Sequence, residues 1–371
     1  MNKIGLCMIV RDEGKVIRRC LDSVKRLIDY VCIVDTGSKD NTIKEITDWL
    51  EEHKVDGKVH KKEWVNFAVN RTHALKLIRE SKDIDYVLMI DADEILVFDE
   101  DFNTEEFKDS LTKDLYSINC KLGSVEYLRT TITKNSMPYI YKGVVHEYLD
   151  CMDPIKTREI AKGFYNKPIQ DSARNELKTE KFLRDAKTLE DALEVETDSY
   201  LRARYTFYLG QSYKDGKEYK KALDAYLQRT KMGGWDEEIA VSYYNAGNMM
   251  WHLEYPDEQV IQAFITGFET YPYKLECLHG AAKYCRLKKK FQQAFMIAGL
   301  GLKLKKPESG LFHIPWIWDY GIEDEYSISA YWAGYYKEGL DVTRKLIKKV
   351  PDSERDRVLE NLNYYLDKIQ L

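Results

Sequence analysis

The 371-residue chain has seven cysteines but no C-x-x-C pair, which removes the zinc-ribbon and dithiol-redox readings. Cys7, Cys20, Cys32, Cys120, Cys151, Cys277 and Cys285 are widely scattered, an odd count suited to buried thiols in a reducing cytosol. No run approaches about 18 apolar residues, so no transmembrane helix is expected. Neither G-x-G-x-x-G nor G-x-x-x-x-G-K-[ST] occurs, and the nicotinamide and P-loop readings lose their main support. Charge of one sign is scarce as well: a net charge of -5 gives no electrostatic footprint for nucleic acid or anionic lipid. No basic, then apolar, then small-residue leader precedes the first strand pattern. A cytoplasmic location, at most peripheral, is the expectation.

With 32% charged and 44% hydrophobic residues the composition is that of an ordinary folded protein, and the length allows two domains. Up to about residue 165, strand and helix patterns alternate. Strands are expected at 3–10, 30–34, 57–60 and 86–90, with helices at 15–25, 41–53 and 67–79. Such alternation indicates βαβ units and a mostly parallel sheet covered on both faces. Segments with β character at 115–119, 127–133 and 139–141 predict a mixed or antiparallel extension. Ligands of these sheets bind beyond the carboxyl ends of the strands. Three chemically rich loops fall on that edge: Arg11-Asp12-Glu13, Asp35-Thr36-Gly37 and Asp91-Ala92-Asp93.

The stretch Tyr86-Val87-Leu88-Met89-Ile90-Asp91-Ala92-Asp93-Glu94 runs a buried-type strand straight into three carboxylates. Two carboxylates at such a point can share one hard divalent ion, with substrate phosphates completing its shell. An acidic strand-to-loop turn is the bland alternative. Around Asp35, turn and cap chemistry explains Gly37, Ser38, Asp40 and Asn41 but not Asp35 itself. Its carboxylate is suited to accept hydrogen bonds from a ribose or a pyrimidine base. Asn70 and Arg71, early in a helix, place an arginine fork near the acidic edge or a phosphate. About 50 residues after the acidic pair, Val144-Val145-His146-Glu147 offers a base and an imidazole. Glu147 suits the base that takes a proton from an acceptor, and His146 a metal or diphosphate contact, with the reverse assignment also open. Arg129 is a further candidate for a diphosphate contact.

Six ordered blocks over residues 3–150 resemble the family 2 inverting glycosyltransferases of the GT-A fold. They are Leu6-Cys7-Met8-Ile9-Val10-Arg11-Asp12-Glu13, Arg19-Cys20-Leu21-Asp22-Ser23-Val24, Val34-Asp35-Thr36-Gly37-Ser38, Phe67-Ala68-Val69-Asn70-Arg71, Asp91-Ala92-Asp93-Glu94 and Val144-Val145-His146-Glu147. More narrowly they look like the branch with bacteriocin S-glycosyltransferases and lipopolysaccharide β-1,4-glucosyltransferases. The resemblance implies a nucleotide-sugar site that includes Val10, Arg11, Glu13, Asp35, Asn70, Arg71, Asp91, Ala92 and Arg129. It implies Mn2+ or Mg2+ at Asp91, Asp93 and His146, and catalysis by Glu147 and His146. Asp12 stands where the family usually has asparagine.

From about residue 175 strand character fades and an internal repeat appears. Gly210, Tyr213, Tyr219, Ala222 and Tyr226 fall at tetratricopeptide spacings, echoed by Ala282, Phe291, Ala294 and Ala298 and by Tyr336, Gly339 and Pro351. An irregular helical bundle is the alternative. The expected organisation is a GT-A α/β domain at 1–170 and an all-α, tetratricopeptide-like repeat domain at 171–371. The expected function is metal-dependent, inverting transfer from a nucleotide-sugar donor, UDP-glucose or UDP-N-acetylglucosamine, to a protein, peptide or glycan acceptor. No nucleic-acid partner is expected, and self-association through the repeats is possible. The rival readings are a sugar nucleotidyltransferase, for which the first loop lacks glycine, and a non-catalytic repeat scaffold with a vestigial transferase domain.

Overall fold

The computed structural model describes all residues except 82, 123–124, 170, 172–177, 308–309 and 370–371. It divides into two compact units, Met1–Lys181 and Phe182–Leu371.

In the first unit the apolar runs form strands because both of their faces are covered. β1 (Ile4–Val10), β2 (Tyr30–Asp35) and β4 (Tyr86–Met89) are buried almost throughout. With β3 (Asp56–Lys61) they make a parallel block in the order β3-β2-β1-β4. Helices α1 (Ile17–Val24) and α2 (Thr42–His53) supply Ile17, Leu21, Val24, Ile46 and Trp49 to a core that includes Leu6, Ile33 and Leu88. On the other face, α3 (Phe67–Arg79) brings Ala74, Leu75 and Ile78 against Cys7, Val34 and Val87. Burying each such large apolar side chain stabilises the fold by about 1.5–3 kcal/mol.

Beyond β4 the sheet turns antiparallel. β7 (Val125–Lys134) pairs with β4 and β6 (Leu115–Leu122), and β11 (Phe164–Pro168) joins β6 to β5 (Glu94–Phe98). The short β10 (Arg158–Ile160) pairs with β6, while β8 (Tyr139–Lys142) and β9 (Tyr148–Cys151) form a separate two-stranded hairpin. A short α4 (Thr104–Ser110) is capped by the Asn103 side chain. β5 and α4 have no counterpart among the sequence expectations, and neither do β9, β10 and β11. Arg129 lies within β7, in the segment expected to have β character.

α5 (Lys178–Val195) spans the boundary between the two units, and the second unit continues as helical hairpins. They are α6 (Ser199–Asp215) with α7 (Tyr219–Arg229), α8 (Asp236–His252) with α9 (Asp257–Thr270), α10 (Leu275–Leu287) with α11 (Phe291–Gly301), and α12 (Ile322–Ala333) with α13 (Tyr336–Leu346). α14 (Asp352–Ile369) follows. The small repeat residues sit where helices touch: a Cβ on Gly210 of α6 would lie 2.9 Å from the Tyr226 ring of α7. Successive hairpins begin at 199, 236, 275 and 322, steps of 37, 39 and 47. All exceed the roughly 34 of a tetratricopeptide repeat. The longest step contains residues 302–321, which run between α11 and α12 and include a π-helical turn, Ile317–Gly321. No helix of the described residues is long and apolar enough to cross a membrane.

Candidate active site

The strand order makes the site. The chain walks outward from β1 to β2 to β3, then returns to lay β4 on the opposite side of β1. The loops after β1 and β4 diverge at that reversal and leave a crevice at the carboxyl edge, where ligands of open α/β sheets bind. Arg11–Glu13 and Asp91–Asp93 flank it.

The first two loops are tied into one surface. Asp12 has a left-handed φ of 55°; its N–H donates to Ser38 Oγ (2.9 Å) and its Oδ1 accepts from Lys39 N (2.7 Å). Glu13 N donates to Thr42 Oγ1 at 2.8 Å. Asp35 is 3% exposed, and its Oδ1 accepts from Gly37 N (3.0 Å) and Ser38 N (3.1 Å), a turn closed by Gly37 at φ 107°. Its Oδ2 is buried with no hydrogen-bond partner among the described residues. A sealed, unpaired carboxylate oxygen costs free energy unless a ligand supplies a donor.

Across the crevice, Arg71 of α3 joins two distant carboxylates. Its Nη2 donates to Asp91 Oδ1 at 2.7 Å and its Nε to Glu147 Oε1 at 2.8 Å, while its guanidinium carbon stands 5.6 Å from the Tyr141 ring centre. Burial works against the arginine's charge, but Asp91 and Glu147 outweigh it, so Arg71 is held more firmly protonated than usual. Glu94, at the start of β5, accepts from Asp91 N at 3.1 Å and is gripped by both terminal nitrogens of Arg129.

The structure therefore brings Glu13, Asp35, Arg71, Asp91, Asp93 and Glu147 to one edge of the first unit. Other sequence candidates are used differently. Asn70 is fully buried; its Oδ1 accepts from Val65 N (2.9 Å) and its Nδ2 donates to Glu63 O (3.1 Å), so its amide shapes the loop before α3 and does not face a nucleotide. Arg129 pairs with Glu94, whose carboxylate in turn holds Asp91 N, and its side chain is about one-third exposed. Val10 and Ala92 bury their side chains in the core and can offer a ligand backbone alone. Arg11 is about half exposed at the end of β1. His146 and Glu147 lie in the β8–β9 connection, not at the end of a long strand. His146 is exposed, with a left-handed φ of 53° that turns the chain between the hairpin strands. Glu94 as the residue that fixes the Asp91 backbone was not foreseen. The available signal was a buried-phase acid opening an otherwise apolar strand, which demands a cationic partner.

The edge carries excess negative charge. Glu13 Oε2 is buried without a partner among the described residues, and burial, followed by the charges of Asp93, Asp91, Asp40 and Asp171, pushes the Glu13 carboxyl from an ordinary 4.5 to about 7. Among the described residues no three His, Cys, Asp or Glu side chains converge as a closed metal cage. Mg2+ and Mn2+ need no such cage, since one or two carboxylates with substrate phosphates suffice. Asp91 and Asp93 are the carboxylates that would serve an open site of that kind, with Arg71 on one oxygen of Asp91.

The Glu13 shift has a testable sign. Below pH 4.5 the group is protonated folded or unfolded; between 4.5 and about 7 the unfolded chain releases the proton and the folded chain keeps it. Stability contributed by the raised carboxyl is thus lost as pH rises through that window. Glu13→Gln should melt at a higher temperature than the wild type at about pH 8 and at nearly the same temperature at about pH 4.5. Parallel pH responses of the two proteins in thermal melts would contradict the assignment.

Fold and site together define an α/β ligand-binding domain with an acidic, arginine-bridged edge, followed by a tetratricopeptide-like helical unit. Residues 6–139, within the first unit, match the model of glycosyl transferase family 2, so that stretch is a family 2 glycosyltransferase-like domain. Among curated proteins, a TPR repeat-containing protein of Synechococcus elongatus is 35% identical over 100 residues, covering 27% of this chain and 22% of that protein. An uncharacterized glycosyltransferase of Rickettsia felis is 32% identical over 96 residues, 26% of this chain and 30% of that one. The chain thus spans less than a third of the length of these relatives. Among solved structures, S. aureus TarS in complex with UDP-GlcNAc overlays 73% of this chain and 91% of its own, with 12% identity and a TM-score of 0.39.

Proposed function

We propose that the chain is an inverting glycosyltransferase that moves a sugar from a uridine diphosphate donor, glucose or N-acetylglucosamine being the first to test, to a peptide or glycan acceptor. The observation that carries the reading is the Asp91–Arg71–Glu147 bridge at the switch point of a family 2 domain. It couples a carboxylate of the acidic pair to a carboxylate suited to an acceptor, through an arginine 20 positions from the first and 76 from the second.

In this reading Asp35 Oδ2 accepts from the uridine, and Asp91 and Asp93 would hold Mg2+ or Mn2+ against the diphosphate. The ion supplies charge stabilisation for the departing diphosphate. Glu147 takes the proton of the acceptor nucleophile as that atom bonds to the anomeric carbon and the bond from that carbon to the diphosphate oxygen breaks. Arg71, itself packed against the Tyr141 ring, holds the Glu147 carboxylate in place. The direct test is release of UDP from UDP-glucose or UDP-N-acetylglucosamine, with and without added acceptor. No turnover of any nucleotide sugar by the folded protein would refute the reading.

Asp35→Asn is the sharpest probe of the donor site. It keeps an oxygen for the Gly37 and Ser38 amides and replaces the orphaned acceptor with an N–H2 donor. Loss of a hydrogen bond to a charged group, about 1.5–3 kcal/mol, should weaken UDP by roughly tenfold or more. Calorimetry showing equal UDP affinity in both proteins would remove Asp35 from the site.

A further inference from the structure

The helical unit carries a half-open cavity of about 270 Å³ that the transfer chemistry leaves unused. Tyr244 of α8 and Phe312 form apolar walls, and Gln211 of α6 and Asn245 of α8 present amides. Beneath them lies a buried charged network. Lys274, 3% exposed, donates from Nζ to Leu311 O and stands 3.6 Å from Glu237 and 3.8 Å from Glu276 Oε2. Glu276 of α10 is 1% exposed; its Oε1 accepts from Ile314 N (2.9 Å) and Trp318 Nε1 (3.2 Å). These bonds hold the 311–318 stretch against α8 and α10 and so give the cavity a fixed wall.

Two atoms of that wall are unsatisfied. Glu276 Oε2 and His313 Nε2 are buried without a hydrogen-bond partner among the described residues. Burial pulls the His313 ring toward its neutral form, and its Nδ1 lies 3.7 Å from Glu276 Oε1, so the carboxylate's field favours the tautomer with the ring proton on Nδ1. Nε2 is then an acceptor, like the carboxylate oxygen. Both orphans need donors. A cationic ligand meeting Glu276 Oε2 would also meet the Lys274 ammonium 3.8 Å away and Lys214 on the same wall. An anion would be driven against the Glu276 carboxylate, which has almost no water to screen it. What fits is neutral, rich in O–H donors, able to accept from amides, and apolar on one face.

We propose that this cavity binds a neutral saccharide of about one sugar ring. Hydroxyls donate to Glu276 and His313 and accept from Asn245 and Gln211, while a C–H face lies on Tyr244 or Phe312. The volume is just below the roughly 300–1,000 Å³ of drug-sized sites, which suits a single ring. The site is independent of the donor-site reading, since none of its residues belongs to the first unit.

The test is titration of the full chain, without nucleotide, by calorimetry or saturation-transfer NMR, using the methyl glycosides of glucose, galactose and N-acetylglucosamine, with arginine amide and acetate as charged controls. At least one glycoside should bind with a Kd on the order of 1 mM and neither control should. Asn245→Leu, which fills the cavity from α8 without touching the Glu276 network, should weaken binding by about tenfold or more. Glu276→Gln should do the same where it folds, and Asn245→Leu decides alone where it does not. Asp35→Asn should bind the glycoside as the wild type does, which keeps this result distinct from any failure at the donor site. Absence of glycoside binding, equal binding by Asn245→Leu, or preference for arginine amide or acetate would each overturn the proposal.

Discussion

Arg71→Met should destabilise the protein by about 3 kcal/mol, because removing one partner of a buried ion pair leaves charge behind without compensation. The value is set at the low end of the usual range since Asp91 is 37% exposed and partly screened by water, although Arg71 and Glu147 are only 16% and 15% exposed. Methionine nearly matches the aliphatic stem, so the loss reports the two carboxylates more than a cavity. Those carboxylates then face each other with the cation gone, and donor binding should fall together with stability. The double variant Arg71→Met with Glu147→Gln removes one of the two stranded charges and should recover part of the loss. Urea unfolding of the four proteins of this cycle measures the coupling. Strict additivity, or an Arg71→Met loss below about 1 kcal/mol, would show that the bridge contributes little.

That bridge also marks how far the sequence could be read. Arg71, Asp91 and Glu147 were each legible as candidates, Arg71 even as a partner for the acidic edge. Their junction was not, because an ion pair spanning 76 positions leaves no periodic trace. The parallel block was legible for the opposite reason. β1, β2 and β4 are near-continuous apolar runs separated by helices of ordinary length, and α3 begins and ends at the residues its pattern indicates. The strands that escaped notice lack such patterns. β10 is exposed at all three positions and β9 is half-buried at all four, so neither shows an alternation of period two. β5 opens on Glu94, which reads as the continuation of an acidic turn until Arg129 from β7 neutralises it. Asn70 illustrates the reverse error. An amide beside a functional arginine looks like a ligand contact, but its complete burial and two loop hydrogen bonds make it scaffold.

The reaction itself turns on Glu147. Glu147→Gln keeps the volume, and its amide oxygen can still accept from Arg71 Nε in place of Oε1, so the fold should survive. What disappears is the proton acceptor. The transfer rate should therefore fall by about 10²–10⁴-fold, the usual contribution of general base catalysis. UDP affinity should hardly change, since the base acts on the acceptor and Arg71 remains in place to orient Asp91. A purely positional role gives another pattern: a modest fall in rate with a raised KM for donor, because glutamine still holds the arginine but holds it more weakly. His146→Ala serves as the companion. His146 sits on the exposed turn of the β8–β9 connection, and its loss should weaken donor and metal binding if the imidazole faces the diphosphate. Normal donor binding in His146→Ala combined with lost donor binding in Glu147→Gln would exchange the two roles. Near-wild-type transfer by both variants would place the base elsewhere. Glu13 would then be the next residue to test, because its carboxyl, poised at about 7, sits closest to working pH among the acids of this edge with a resolved shift.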